Sequence, residues 1–218
     1  MSALTFQLRP PRTGPMQGAP LLVLLHGVGG NERNLLPVAD ALDPRFAVLS
    51  VRGPLQVSPD GFAFFNVRFT PEPVPNAEEA EASRTALIDV LPRLVQEQGL
   101  DPQRVFLLGF SQGAIIGASV TLSRPDLVAG LVMLSGRILP EARSTFAPAH
   151  ALGEAPVFVA HGRQDAKLGI HHGRASRALL SDLGATFTYR EYDMGHEITA
   201  QELSDVNAWL ESRLAPPA

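Results

Sequence analysis

The feature that most constrains this chain is a series of short, nearly unbroken apolar runs set between longer amphipathic stretches. Residues 21–25, 46–51, 105–108, 129–134 and 156–160 show almost no alternation of polar and apolar positions. Such runs suit strands covered on both faces of a parallel sheet. The intervening segments predict helices over 32–42, from Asn76 to about Gly99, from the glycine after Ser111 towards Arg124-Pro125, over 171–183 and over 199–214. The second of these carries a start signal, Asn76 with Glu79 three residues on, an inward face of Leu87, Leu91, Leu94 and Val95, and a proline, Pro92, expected to kink it. Residues 4–9 read as an edge strand and 186–192 as a further strand, and Trp209 is expected on the inner side of the last helix. Strand and helix therefore alternate along the chain. The expected fold class is α/β, with a mostly parallel central sheet, helices on both faces, and residues 1–218 in one domain.

Composition removes several classes of function. The formal net charge is −4 and no block of like charge occurs, so no basic footprint for nucleic acid is present. There is no cysteine, which excludes disulfides and a thiolate nucleophile. Neither a signal peptide at the N-terminus nor an apolar stretch of about 20 residues is found, and a cytoplasmic location without a transmembrane segment is the expectation.

The run at 105–108 ends in Gly109-Phe110-Ser111-Gln112-Gly113. Strand, sharp turn and helix in that order lift the serine hydroxyl clear of the backbone, and glycines are needed where the turn crowds its neighbours. Ser111, Asp165 and His196 each fall just beyond a different predicted strand. In a parallel sheet those ends share one edge, so residues distant in sequence meet. A serine hydroxyl needs a base within hydrogen-bond reach, and that base needs an orienting acceptor. His196 is the expected base, Asp165 the acceptor, and the backbone N–H groups of Val28 and Gln112 the expected donors to a substrate oxyanion. Between Gly53 and Pro75 the alternation breaks into a segment rich in proline and phenylalanine, including Phe62, Phe64, Phe65, Phe69 and Pro71. It is expected to be ordered and to wall an apolar pocket, with Phe64, Phe65 and Leu168 as the candidate lining residues.

Together, His26-Gly27-Val28-Gly29, Gly109-Phe110-Ser111-Gln112-Gly113, His161-Gly162-Arg163-Gln164-Asp165 and Gly195-His196-Glu197-Ile198 resemble the phospholipase/carboxylesterase family of small serine esterases, relatives of acyl-protein thioesterases. The resemblance implies an α/β-hydrolase fold without a large cap domain, a triad of Ser111, Asp165 and His196, oxyanion amides at Val28 and Gln112, and no cofactor. It implies hydrolysis of short- to medium-chain acyl esters, thioesters or lysophospholipids through an acyl-enzyme. The chain departs from the family's usual pattern at Asn31, at Phe64-Phe65, and after Asp165, where Ala166-Lys167-Leu168-Gly169 stands.

Other assignments carry less weight. Gly27, Gly29 and Gly30 lack the spacing of a dinucleotide fingerprint. His171 and His172 are adjacent on a predicted helix and face different directions, so no metal site is expected. His26 and His161 precede glycines at strand ends and are read as structural. Asp193 and Glu197 are nearer His196 in sequence than Asp165 is, but Asp165 has the strand-end position that a triad requires. The alternative of another class is a non-catalytic ligand-binding protein on the same fold.

Overall fold

The computed structural model describes residues 4–68, 70 and 73–214. Met1–Ala3, Phe69 and Pro71 lie outside the described residues. The strands are β1 (Thr5–Arg9), β2 (Leu21–Leu25), β3 (Ala47–Arg52), β4 (Leu55–Ser58), β5 (Gly61–Ala63), β6 (Val67–Arg68), β7 (Val74–Pro75), β8 (Val105–Phe110), β9 (Gly130–Leu134), β10 (Val157–Gly162) and β11 (Phe187–Tyr192). The helices are α1 (Leu36–Asp40), α2 (Ala77–Glu97), α3 (Gln112–Ser123), α4 (Ala149–Leu152), α5 (Ile170–Asp182) and α6 (Ala200–Leu214).

Seven strands form the central sheet in the order β1-β3-β2-β8-β9-β10-β11. Only β1 runs antiparallel to its neighbour; the other pairings are parallel. The apolar runs supply the middle of this sheet because it is covered on both sides. Leu21, Val23, Leu25 and Leu107 face a core closed by α2 and α3, whereas Leu22, Leu24, Phe106 and Leu108 face one closed by α1 and α6. Trp209 is buried on that second side, its ring 5.9 Å from Phe158. This is an α/β-hydrolase architecture, and among the described residues no cap domain is inserted.

The helix expected over 32–42 is shorter, Leu36–Asp40. Asn31 Oδ1 accepts from the Arg33 N–H at 2.9 Å and Asn34 Oδ1 from the Asn31 N–H at 2.7 Å. Side chains that bond the local backbone compete with a helix, so the helix begins only at Leu36-Pro37, where proline suits a first turn. Asn76 does cap α2, accepting from the Glu79 N–H at 3.2 Å. The Glu79 carboxylate does not reach back to the cap; it accepts from Asn66 N–H and Nδ2 at 2.6 and 3.0 Å, tying the proline-rich excursion to α2. That helix continues through Pro92 to Glu97.

Within the excursion, β4 pairs with β5 and β6 with β7. Phe62 bonds the first glycine turn in both directions: its carbonyl accepts from Gly29 N–H at 2.8 Å and its N–H donates to Gly30 carbonyl at 2.7 Å. Arg52 stacks over the Phe62 ring at 4.5 Å and holds Glu32 through two hydrogen bonds of 2.6 and 2.7 Å. Those bonds keep the Glu32 carboxyl charged, with its pKa down at about 2. No helix among the described residues is long and apolar enough to cross a membrane.

Candidate active site

The sharp turn after β8 is set by close approach. A Cβ on Gly109 would lie 2.4 Å from the Ala114 nitrogen, and one on Gly113 would lie 1.9 Å from the Leu25 carbonyl oxygen. Neither position admits a side chain, so α3 packs directly against β2 and β8. The turn places Ser111 at φ 55° and ψ −117°, a left-handed conformation that costs a non-glycine residue about 1–3 kcal/mol.

Ser111 lies 2.9 Å from His196 Nε2 through its Oγ. His196 Nδ1 lies 2.7 Å from Asp165 Oδ2. An ionised carboxylate only accepts, so Nδ1 carries the proton and Nε2 is left to accept from the serine hydroxyl. The Asp165 side chain is fully buried, and its other oxygen accepts from the backbone N–H groups of Lys167 at 2.9 Å and Leu168 at 2.8 Å. Its orientation is thus fixed from behind, and Phe110 packs against the His196 ring at 4.9 Å. A hydroxyl, an imidazole and a carboxylate linked in this order can generate a serine nucleophile. The nearer carboxylates do other things. Asp193 Oδ1 accepts from Arg163 at 2.7 Å, and Glu197 Oε1 accepts from Gly195 N–H at 3.3 Å.

Ser111 and His196 open onto a cavity of about 210 Å³. Val28 and Gln112 line it, and among the described residues neither backbone N–H has a hydrogen-bond partner. Gln112 begins α3, where an N–H has no intrahelical acceptor. Phe65 and Leu168 are part of the wall, joined by Val67, Pro73, Pro75, Ile115, Arg137 and Lys167.

Phe64 is a correction: it does not line this cavity. It is fully buried, with its ring 5.0 Å from that of His26. Its N–H donates to Gln112 Oε1 at 2.6 Å and its carbonyl accepts from Ser83 Oγ at 2.5 Å, and this two-sided clamp turns the ring into the core. Of the four phenylalanines expected near the mouth, only Phe65 among the described ones faces the cavity.

The Gln112 side chain is what sequence reasoning missed. Besides accepting from Phe64, it donates from Nε2 to the Phe65 carbonyl at 2.7 Å. A long polar side chain directly after the elbow serine, at the head of an otherwise small and apolar run, was the available signal. His26 also works structurally, since Nδ1 donates to the Gly27 carbonyl at 2.7 Å and Nε2 accepts from the Gly53 N–H at 2.9 Å. Burial holds it neutral by lowering its pKa. His161 donates from Nε2 to the Leu168 carbonyl at 2.6 Å, bracing the loop that carries Asp165; burial lowers its pKa too, against the opposing pull of that carbonyl and of Asp165.

The profile of the Phospholipase/Carboxylesterase family matches residues 14–214. Acyl-protein thioesterase 1 of Gibberella zeae is 33% identical over 131 residues, 56% of this chain and 55% of that protein, so the match spans about half the relative's length. Esterase YpfH of Escherichia coli is 29% identical over 185 residues, 82% of this chain and 76% of that one. The solved structure of the Bacillus cereus carboxylesterase superposes with a TM-score of 0.82 at 26% identity, covering 96% of this chain and 94% of that chain. With a family match extending over nearly its whole length and an α/β-hydrolase sheet beneath it, the chain belongs to the phospholipase/carboxylesterase family.

Proposed function

We propose that the chain is a serine carboxylesterase for short- to medium-chain acyl esters, with thioesters and lysophospholipids as further substrates, and that residues 1–218 act as one catalytic domain. The observation that carries this reading is the linked set Ser111–His196–Asp165 opening onto an apolar-walled cavity. In this mechanism His196 Nε2 takes the Ser111 proton as Oγ attacks the acyl carbon. Negative charge gathering on the carbonyl oxygen is met by the N–H groups of Val28 and Gln112, each worth about 3–4 kcal/mol where such a donor has been removed. Collapse of the tetrahedral adduct breaks the bond to the alcohol or thiol, which leaves with the proton from His196. Water then attacks the acyl–Ser111 ester by the same steps, releasing the carboxylic acid and restoring the hydroxyl. Asp165 holds the imidazole in the tautomer that accepts from serine and steadies the imidazolium.

The cavity, at about 210 Å³, is smaller than the ~300–1,000 Å³ typical of sites for drug-sized ligands, which suits the short end of the proposed range of acyl groups. The named esterase and thioesterase relatives support ester or thioester chemistry. Ser111→Ala is expected to abolish hydrolysis of p-nitrophenyl butyrate and labelling by a fluorophosphonate probe while leaving the circular dichroism spectrum unchanged. Retained turnover in that variant would overturn the assignment.

A further inference from the structure

Two cations open onto a cavity whose wall is otherwise mainly apolar, and no carboxylate lines it among the described residues. We propose that Lys167 and Arg137 form a subsite for an anion carried by the substrate, so that the preferred esters bear a carboxylate or phosphate beyond a short apolar chain. This rests on the esterase reading above.

Lys167 is anchored at its backbone, where the N–H donates to Asp165 Oδ1 at 2.9 Å, so its side chain starts beside the site. Among the described residues its ammonium has no hydrogen-bond or ion-pair partner. The nearest acid in sequence, Asp165, does not neutralise it. That carboxylate is buried and already engaged by His196 and by the Lys167 and Leu168 N–H groups. Among the described residues Arg137 is tethered by one hydrogen bond, from Nη2 to the Pro73 carbonyl at 2.8 Å. A neutral carbonyl fixes the guanidinium without cancelling its charge, and most of its five N–H donors remain for a ligand. In a chain of net charge −4, two cations bordering one mainly apolar opening, Lys167 exposed at its rim and Arg137 half-buried, raise the positive potential where substrate enters. Valine, proline, phenylalanine and leucine side chains around it suit the apolar part of the molecule, and the cations its end.

Matched pairs of esters test this. Mono-4-nitrophenyl adipate against 4-nitrophenyl hexanoate places the anion on the acyl side. The 3-phosphate of 1-butyrylglycerol against 1-butyrylglycerol places it on the alcohol side, with acid release followed by pH-stat. In at least one pair the anionic member is expected to have a kcat/KM about tenfold higher, the gain of a charge-assisted contact in a partly open site. The ratio should shrink in about 1 M NaCl, where the screening length falls to about 3 Å. Lys167→Gln is expected to lower the ratio about threefold, Lys167→Arg to retain it, and Lys167→Gln with Arg137→Gln to bring it close to one, each with an unchanged urea midpoint; if Arg137→Gln unfolds the protein, the two Lys167 variants decide alone. A wild-type ratio near one in both pairs, a ratio that survives the Lys167→Gln substitution, or equal losses for neutral and anionic esters would overturn the subsite while Ser111-dependent turnover of the neutral esters still supports the esterase reading. Absence of any Ser111-dependent turnover would overturn both.

Discussion

Glu202 gives the sharpest test of the energetics. It lies on α6 with no exposed surface, and among the described residues neither carboxyl oxygen has a hydrogen-bond partner. Burial pushes its pKa from 4.5 up to about 8, against an opposing pull from the Thr199 backbone N–H, which lies near the carboxyl but outside hydrogen-bond geometry. Below about pH 4.5 the carboxyl is neutral in folded and unfolded chains alike and exerts no pH-dependent effect. As pH rises towards 8 the unfolded chain loses this proton while the folded chain keeps it, so stability falls. At about 1.4 kcal/mol per unit the accumulated loss is on the order of 5 kcal/mol, most of it between about pH 5 and pH 8, and it stays constant at higher pH.

His26 and His161, buried and neutral with lowered pKa values, act in the opposite direction, since the unfolded chain binds their protons first as pH falls through 6.5. The wild-type profile is therefore a sum, and the readout is the difference between wild type and Glu202→Gln, in which the histidine contribution cancels. Equilibrium urea unfolding from pH 5 to pH 9 should show Glu202→Gln gaining on wild type by on the order of 4 kcal/mol across that range, or about 10 °C in Tm for a chain of this size. Glu202→Met should show the same slope with a different offset, because it removes the unpartnered oxygens as well. Parallel pH profiles for wild type and both variants would refute the claim that Glu202 is held neutral by burial.

Other consequences are equally direct. Ser111→Gly relieves the left-handed backbone at the turn and should be more stable than Ser111→Ala by about 1 kcal/mol, measured by urea midpoint; both lose the bond to His196, so the difference isolates the conformation. Gln112→Leu strands the Phe64 N–H and Phe65 carbonyl in the interior and should destabilise the fold by about 3 kcal/mol. The same variant should raise KM for p-nitrophenyl butyrate more than it lowers kcat, because Phe65 forms part of the cavity wall.

The sheet was legible because short continuous apolar runs bounded by turn signals suit strands covered on both faces, and the positions of Ser111, Asp165 and His196 followed from strand ends on a common edge. Boundaries failed where local side chains competed with the backbone pattern, as Asn31 and Asn34 do ahead of α1. The lining of the cavity was harder to read. Phe64 and Phe65 are adjacent and chemically identical, and what separates core from wall is a pair of tertiary hydrogen bonds from Gln112 and Ser83, residues far from them in sequence. The cations were hidden for a similar reason: nothing local to Lys167 or Arg137 announces that β9 and the loop after β10 bring them to one opening.

Gln112 joins two tasks in one residue, its main chain at the head of α3 and its amide side chain riveting the 64–65 segment. Under the proposed function, selectivity and reactivity are consequently not modular at this point of the molecule. Attempts to re-engineer acyl preference by redrawing residues 64–65 would disturb the serine turn as well, whereas Val67, Pro73 and Pro75, which border the same opening and, among the described residues, make no hydrogen bond to that amide, offer the independent handle.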